Sequence, residues 1–225
     1  MNPTKIEWTD YTINPIKGKC RTGCSYCYAT RMYDRFKWNP QVRLCLEEFN
    51  KLKSLKKPSK IFLCSTHEMF GKWIPDDWIH NILHYVRMIY PQHTFQILTK
   101  NPERATKYNF PKNVWVGMTI TKEDELYHQE VLDAIKASVR FVSYEPLLES
   151  LFGMAYNIVY PDIDWVIIGA ETGSRKNRVN PERRWIEQII TDAKKHNIPV
   201  FLKDNLKPFW DGEWYREYPN GGMTG

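Results

Sequence analysis

The stretch VWVGMTITKEDELYHQEVLDAIKASVRFVSY, residues 114–144, decides the fold class because it indicates a strand, a helix and a second strand. Its opening run, Val114–Met118, is apolar throughout, which is typical of a strand buried on both faces of a parallel sheet. Thr121 then precedes an acidic first turn, the usual start of a helix. A helix that connects two such strands makes them parallel. The stretch therefore predicts a parallel α/β fold.

The same alternation of strand and helix recurs along the chain. One of the amphipathic stretches opens at Pro75 and carries apolar residues at helical spacing as far as Ile89. Such alternation indicates either an open doubly wound sheet or a barrel. Six or seven units are fewer than the eight of a closed barrel, so we predict a partial (β/α)6 TIM-like barrel of mostly parallel strands. The predicted strands are Thr12–Ile16, Ile61–Ser65, Thr94–Thr99, Val114–Thr119, Val139–Tyr144, Trp165–Gly169 and Ile198–Lys203.

The domain organisation follows from length and linkers. The chain has 225 residues, a size at which an α/β barrel still forms one domain. No long Gly-, Ser- or Pro-rich linker divides it, so we predict a single barrel domain over residues 1–205. Residues 206–225 are predicted to form an aromatic extension that packs on the barrel. Its Trp and Tyr residues either cover the open side of the barrel or offer a stacking surface for bases.

Composition excludes several classes of protein. The chain is 42% hydrophobic and 26% charged, which excludes disordered and collagen-like chains. No run approaches about 18 apolar residues and MNPTKIEWTD has no apolar signal core, so we predict a cytoplasmic protein without a membrane partner. The formal net charge of +6 fits an anionic partner without requiring one. A lysine run over residues 51–60 fits a solvated helix end.

Polar residues follow almost every predicted strand. In βα folds, the C-terminal ends of the strands meet at one rim, where the chemistry gathers. Each residue alone could be a helix cap or part of a surface loop, but together they predict a polar cavity at one mouth of the barrel. The candidate residues are Ser65, Glu68, Lys100, Thr119, Thr121, Glu145, Glu171 and Lys203.

Three of the five cysteines, Cys20, Cys24 and Cys27, crowd into the loop after the first predicted strand. A structural zinc site would need a fourth ligand from a second cysteine pair, and no second Cys-x-x-Cys occurs. Cys45 and Cys64 lie in apolar stretches, where a free cysteine packs as a small hydrophobe, so we expect both to lie apart from the triplet. Three thiolates on one loop suit a [4Fe–4S] cluster whose fourth iron is open to a substrate or cofactor.

The Cys-x-x-x-Cys-x-Tyr-Cys signature, with Tyr26 before the last cysteine, resembles that of the radical S-adenosylmethionine superfamily. The fold of that superfamily is a partial (β/α)6 barrel with the cluster loop after the first strand. The wider chain resembles a phage- and prophage-associated three-Cys-motif family of unassigned function within it. The stretches that carry this second resemblance are WTDYTINPIKG (8–18), TFQILTKNPERA (94–105), NVWVGMTI (113–120), VSYEPLL (142–148) and DWVIIGAETG (164–173).

The resemblance implies roles for the matching positions. The three clustered cysteines would each bind one iron, leaving the fourth iron for the amino and carboxylate groups of S-adenosylmethionine. Glu68 ends the segment that holds the methionyl amino group in the superfamily, although this chain lacks the two glycines found there. Residues after the fourth and fifth strands would contact ribose, methionyl carboxylate or adenine. The cofactor-binding residues implied are Tyr26, Ser65, Glu68, Thr119, Thr121, Glu145 and Glu171.

The resemblance also implies a reaction. An external one-electron reductant of flavodoxin or ferredoxin type would drive reductive cleavage of S-adenosylmethionine to a 5′-deoxyadenosyl radical. Arg175 and Arg178 follow the sixth predicted strand and suit bidentate phosphate contacts, although a solvated loop explains them equally well. With Lys100 and Lys203 they are the candidate substrate-binding residues. They favour a nucleotide or nucleic-acid substrate.

Two other functions are compatible with the sequence. One is a non-catalytic nucleic-acid-binding module with a structural zinc or iron–sulfur site, and the other is an iron–sulfur protein that only transfers electrons. Structural and carrier sites are normally closed by a fourth protein ligand. The cysteine triplet therefore favours the radical S-adenosylmethionine enzyme.

Overall fold

A computed structural model describes residues 1–151, 158–159, 162–173 and 175–219. The strands within these ranges are β1 Tyr11–Ile13, β2 Ile16–Lys17, β3 Arg43–Leu44, β4 Lys60–Leu63, β5 Thr94–Thr99, β6 Val114–Thr119, β7 Val139–Tyr144, β8 Trp165–Ile168 and β9 Val200–Leu202. The α-helices are α1 Tyr28–Phe36, α2 Asp76–His84, α3 Pro102–Ala105, α4 His128–Asp133 and α5 Arg183–Lys195. Short 3-10 helices cover Leu46–Ser54, Glu123–Glu125 and Asp204–Leu206, and a π-helix covers Tyr85–Ile89.

Seven of these strands form one parallel sheet in the order β1-β4-β5-β6-β7-β8-β9. The sheet curls into a half-barrel, and six crossover connections link its strands. Neighbours in the sheet are therefore also successive barrel strands in the sequence, as in a TIM-like barrel. The small strands β2 and β3 pair antiparallel outside it. The predicted partial barrel of mostly parallel strands is confirmed.

The first predicted strand, Thr12–Ile16, is wrong beyond Ile13. Pro15 has no N–H to donate to a ladder, and the side chain of Asn14 turns to the end of β4, where its Oδ1 accepts the hydroxyl of Thr66 at 3.1 Å. The chain leaves the barrel sheet at this point and pairs with β3 instead. This departure carries the following residues, including the cysteine loop, over the C-terminal mouth.

The interior of the half-barrel is filled by a cluster of aromatic and aliphatic side chains. Gly117 on β6 makes room for it, because a Cβ there would lie 2.5 Å from the ring of Phe141. Trp165 on β8 packs against Trp8 at 6.2 Å and against Tyr218 at 5.4 Å between ring centroids. The buried members of the cluster are Trp8, Phe62, Trp115, Val139, Phe141, Trp165, Ile167 and Phe201.

The outer face of the sheet carries a larger hydrophobic cluster beneath the helices. Beyond β9, the chain returns antiparallel along this edge strand. The Leu202 N–H donates to the Tyr215 carbonyl at 2.9 Å, and the Glu217 N–H donates to the Val200 carbonyl at 3.0 Å. This return covers the hydrogen-bonding groups of an otherwise open edge. Residues 220–225 of the predicted extension lie outside the described residues. No helix within the described ranges has the length and apolar character needed to cross a bilayer.

Candidate functional site

A cavity of about 380 Å³ opens at the C-terminal ends of the barrel strands. This volume lies within the range of small-molecule and cofactor sites, roughly 300–1,000 Å³. Its floor belongs to the aromatic interior and includes Trp8, Phe62 and Leu98. The predicted site residues that line it are Cys20, Cys24, Tyr26, Cys27, Ser65, Glu68, Lys100, Thr119, Glu145, Glu171 and Lys203. The structure therefore brings eleven of the fourteen predicted residues to one cavity.

The cysteine loop is fixed over this cavity by a tight turn, by the start of α1 and by a contact with the end of β4. Gly23 has a φ of 77°, a left-handed conformation that favours glycine. Cys27 is the N-cap of α1, and its sulfur accepts the N–H of Thr30 at 3.5 Å. The sulfur of Cys20 accepts the N–H of Glu68 at 3.4 Å, which ties the loop to the end of β4. All five cysteines are free thiols.

Cys24 has one cationic neighbour, Lys100, and one aromatic neighbour, Tyr26. Burial raises the pKa of its thiol, whereas the positive charge of Lys100 and the nearby Tyr26 hydroxyl oppose this rise. The Lys100 ammonium lies 5.8 Å from the centre of the Tyr26 ring and forms an ion pair with Glu125. Positive charge beside a thiol favours the thiolate, which is the form that binds metal. Among the described residues, no three His, Cys, Asp or Glu side chains are grouped as ligands of a single metal ion.

The other two cysteines differ in position. Cys45 is buried outside the cavity. Cys64, directly after β4, lines the same cavity as the triplet, so the expectation that it lies apart is wrong for this residue; it also packs in the larger hydrophobic cluster. Burial raises the pKa of its thiol to about 12, so it stays protonated near neutral pH.

Glu68 joins the ends of two neighbouring strands. Its carboxylate accepts the Phe70 N–H at 2.9 Å, the Thr99 hydroxyl at 2.7 Å and the Lys100 N–H at 2.8 Å. Burial raises the pKa of this carboxyl, and the three donors act against that rise. Because most of its accepting capacity is used inside the protein, Glu68 fixes the geometry of the cavity wall.

Thr121 was predicted as a cofactor-binding residue and as a helix cap, but it does not line the cavity. Its N–H and hydroxyl both donate to the Glu125 carboxylate, at 2.6 and 2.9 Å. The acidic turn thus reaches back to Thr121, in the manner of the acidic partner of a capping box. Thr119 lies two residues earlier, on the barrel side of β6, and lines the cavity.

A charged pair crosses the mouth between the ends of β7 and β9. The Lys203 ammonium contacts the Glu145 carboxylate and lies 3.8 Å from a carboxylate oxygen of Glu7. Burial by itself lowers the pKa of Lys203, but the two carboxylates raise it above its usual value. Gly169 leaves space for this pair, since a Cβ there would lie 2.9 Å from the carboxyl carbon of Glu145.

The two predicted phosphate-binding arginines do not line the cavity. Arg175 forms a bidentate pair with the buried Glu171 carboxylate, with both N–O distances at 2.7 Å. The Val179 N–H completes this arrangement at 3.2 Å. Arg178 is exposed on the same loop. The sequence could not show that the carboxylate four residues before Arg175 occupies its guanidinium.

The family model described as "Protein of unknown function (DUF5131)" matches residues 3–218. The chain belongs to this family. No curated protein matches its sequence. Two solved structures of spore photoproduct lyase resemble its fold. A double mutant with bound AdoMet and dinucleoside spore photoproduct gives a TM-score of 0.57 at 11% identity, over 89% of this chain and 77% of that one. A complex with dinucleoside spore photoproduct gives a TM-score of 0.58 at 10% identity, over 93% of this chain and 78% of that one.

The cavity of this DUF5131 chain is also lined by residues outside the predicted set, among them Tyr28, His67 and Trp8. Tyr28 follows the last cysteine and donates its hydroxyl to the Ser65 carbonyl at 3.2 Å. His67 accepts the Trp73 indole N–H at 3.0 Å, and its other ring nitrogen lies 3.1 Å from the Gly18 carbonyl. Trp8 closes the floor. His67 directly precedes Glu68 at the end of a strand, so its position in the sequence could have indicated it. Trp8 lies before the first strand, and the placement of polar residues at strand ends gives no signal there.

Arg175→Ala is expected to lower stability at neutral pH, because it leaves the buried Glu171 carboxylate without its cation. The Arg175 hydrogen bond lowers the pKa of Glu171 in the folded protein. This stabilisation is therefore present above the ordinary glutamate pKa and is lost as the pH falls through the lowered value. Denaturant unfolding at pH 7 and about pH 4 measures it. The gap between wild type and variant should shrink on acidification, and a gap independent of pH would contradict the pairing.

Proposed function

We propose that this DUF5131 chain is a radical S-adenosylmethionine enzyme that carries a [4Fe–4S] cluster on Cys20, Cys24 and Cys27. The observation that carries the proposal is that all three cysteines line the cavity where the polar strand ends converge. The proposed catalytic unit is the single barrel of residues 1–205. Five free thiols suit a reducing compartment such as the cytoplasm.

The residues present fit such a cluster. Three thiols come from one loop, a backbone N–H already reaches the Cys20 sulfur, and Lys100 lies beside Cys24. Hydrogen bonds and positive charge near cluster sulfurs favour the thiolate form and adjust the reduction potential. When bound, the cluster would pass one electron to the sulfonium of S-adenosylmethionine and so break a C–S bond.

The chain's own residues would bind and orient the cofactor. Tyr26 offers an aromatic face on the cysteine loop, while Ser65 and Thr119 offer hydroxyl groups in the cavity wall. Glu145 and Lys203 can exchange part of their mutual ion pair for contacts with the charged methionyl groups. Glu171 completes the wall, although Arg175 already occupies its carboxylate. Support for a cofactor of this class comes from the similar fold of spore photoproduct lyase, which was solved with bound AdoMet.

The proposed substrate is a nucleotide or a nucleic acid. Lys100 and Lys203 supply positive charge within the cavity, and the apolar floor beneath them can receive a base or a sugar edge. The similar structures contain a dinucleoside spore photoproduct, which supports this substrate class. The electron would come from an external flavodoxin- or ferredoxin-type protein. From the sequence resemblance we also propose that the chain belongs to a phage- and prophage-associated group of such enzymes.

Anaerobic reconstitution of the full chain with iron and sulfide, followed by reduction with dithionite, tests the proposal. With S-adenosylmethionine added, 5′-deoxyadenosine and methionine should form only when the reductant is present. The products are measured by liquid chromatography. A bound metal or cluster without any cleavage would contradict the enzyme and favour the nucleic-acid-binding module or the electron carrier.

A further inference from the structure

The positive charge of the chain is concentrated around α1. Between Tyr11 and Leu46 the sequence has seven Lys and Arg residues and one acidic residue, Asp34. This excess equals the formal net charge of +6 for all 225 residues, so the remainder of the chain is neutral overall. A local excess of this size creates a positive potential that attracts polyanions.

Most of these cations are free to bind an external anion. Lys17 forms an ion pair with Glu48 and Lys19 forms one with Asp34, both at 2.7 Å. Within the described ranges, the other five form no ion pair with a carboxylate, and all five are exposed. They are Arg21, Arg31, Arg35, Lys37 and Arg43. This surface therefore differs from the predicted arginine loop, where Glu171 occupies Arg175.

Two aromatic rings lie exposed among these cations. Phe36 at the end of α1 is 51% exposed and Trp38 is 46% exposed. The two rings stack, with centroids 5.5 Å apart and planes at 22°, and the Arg35 guanidinium lies 5.3 Å from the centre of the Phe36 ring. Trp38 is held edge-on against the buried Tyr33 at 5.4 Å. The two adjacent rings form a contiguous exposed apolar patch, and such patches mark interaction sites.

The charged face of α1 leads to the cavity. Tyr28, Arg31 and Arg35 follow one another at helical spacing along one side of α1. Tyr28 is both 46% exposed and part of the cavity wall. Arg31 lies at the mouth, where its guanidinium is 2.8 Å from the position that a Cβ of Gly173 would take. The path from Tyr28 to Phe36 is about 12 Å long, from the rise of the helix.

We propose that this α1 face, made of Tyr28, Arg31, Arg35, Phe36 and Trp38, binds single-stranded nucleic acid and leads it to the cavity. Its cations contact phosphates, and its exposed rings stack on unpaired bases, the combination that proteins use for single strands. An acidic peptide would match the charge but would offer the stacked rings no planar partner. A lipid surface could receive both the cations and the rings, but it could not follow the face from Phe36 to the cavity wall at Tyr28, as a single strand can. The proposal deepens the proposed function, since it names a polymer as the substrate of that cavity.

Binding of a fluorescein-labelled dT12 oligonucleotide to the full chain, followed by anisotropy, tests the α1 face. Phe36→Ala/Trp38→Ala should weaken binding roughly tenfold or more, because each stacked base is worth 1–3 kcal/mol. Arg31→Ala/Arg35→Ala should weaken binding and reduce the slope of log affinity against log salt by about 1.4, from two single-strand phosphate contacts. Circular dichroism checks that both variants are folded.

Lys56→Ala/Lys57→Ala is the matched control. It also removes two exposed cations, but at the opposite, N-terminal end of β4. Its affinity for dT12 should stay within about twofold of wild type, because the two removed charges lie far from the α1 face and are screened by salt. An equal loss in the control and the α1 variants would overturn the proposal. Polyglutamate and vesicles of phosphatidylserine and phosphatidylcholine are tested in the same way. If either binds the wild type, and Phe36→Ala/Trp38→Ala weakens that binding as strongly as it weakens dT12 binding, the proposal is also overturned.

This experiment separates the surface from the enzyme. Oligonucleotide binding needs no cluster, and cofactor cleavage without substrate needs none of the α1 side chains tested. Phe36→Ala/Trp38→Ala should therefore keep the same rate of 5′-deoxyadenosine formation as wild type in the absence of oligonucleotide. Selective dT12 binding without cofactor cleavage would contradict the proposed function and support the nucleic-acid-binding surface. Cofactor cleavage without selective dT12 binding would support the proposed function and contradict the surface.

Discussion

The Cys24→Ala variant is expected to form no 5′-deoxyadenosine while its barrel stays folded. Removing one of three thiols leaves a cluster with an incompletely bound iron. Cys45 lies outside the cavity, and Cys64 is packed in the larger hydrophobic cluster, where burial raises the pKa of its thiol, so neither is placed to supply the missing thiolate. Cys24 itself is only half-buried on a loop and contributes no side chain to either hydrophobic cluster. Iron content, visible absorbance and product chromatography after anaerobic reconstitution measure the loss.

Cys45→Ala is the matched control for this variant. It removes a thiol from a buried position outside the cavity, so it should keep the cluster and the cleavage activity at a small cost in stability. Thermal unfolding of both variants shows whether a loss of activity reflects the site or the fold. Normal cleavage by Cys24→Ala would contradict the assignment of the cluster to this loop.

Glu68→Ala is expected to lower the free energy of unfolding by about 3 kcal/mol. The carboxylate accepts two backbone N–H groups and the Thr99 hydroxyl, and alanine leaves all three donors unpaired beside a cavity that only partly admits water. Because Glu68 also positions the backbone N–H that reaches the Cys20 sulfur, cofactor cleavage should fall as well. Urea unfolding followed by tryptophan fluorescence measures the change in stability.

Glu187→Ala gives the comparison for Glu68. This glutamate is exposed on α5, and its removal should change the free energy of unfolding by less than about 0.5 kcal/mol. A Glu68→Ala variant as stable as Glu187→Ala would show that water replaces the lost acceptor. In that case Glu68 would not be the residue that fixes the cavity wall.

The sheet could be predicted because a strand buried on both faces leaves a continuous apolar run in the sequence. β5, β6 and β7 match their predicted limits residue for residue. The place of the polar cavity followed from the same runs, since parallel strands end at a common rim. The chemistry of each residue in the cavity did not follow, because it depends on partners that are distant in sequence.

Ile89 shows how a local change escapes a periodic pattern. The predicted apolar stripe of the helix after Pro75 holds through Val86, but a π-helix then adds an extra residue to the turn. The Tyr90 N–H accordingly reaches back five residues to the Tyr85 carbonyl at 3.2 Å. Ile89 rotates out of the stripe and is 52% exposed. No residue type in this stretch signals the change.

Thr121 and Arg175 show a second limit. Each was interpreted as a ligand-binding residue from its place after a strand, and each is instead bound by a glutamate four residues away. Pairs at this separation are common on helices, but these two lie in loops, where spacing alone does not predict contact. The α1 face does leave a signal in the sequence, because seven Lys and Arg residues and a single acidic residue lie between Tyr11 and Leu46.

The contact of Trp165 with both Trp8 and Tyr218 bears on the order in which the protein is made. Glu7 reinforces this junction, because its carbonyl accepts the Tyr218 hydroxyl across 211 positions of sequence and its carboxylate accepts the Asp204 N–H. On the ribosome, successive βα units can pack their helices as they emerge, since these contacts are local. The aromatic inner surface has to wait for the last of these segments. Until then a nascent chain exposes a row of tryptophan and phenylalanine rings, and apolar surface exposed in this way makes incomplete chains prone to aggregate.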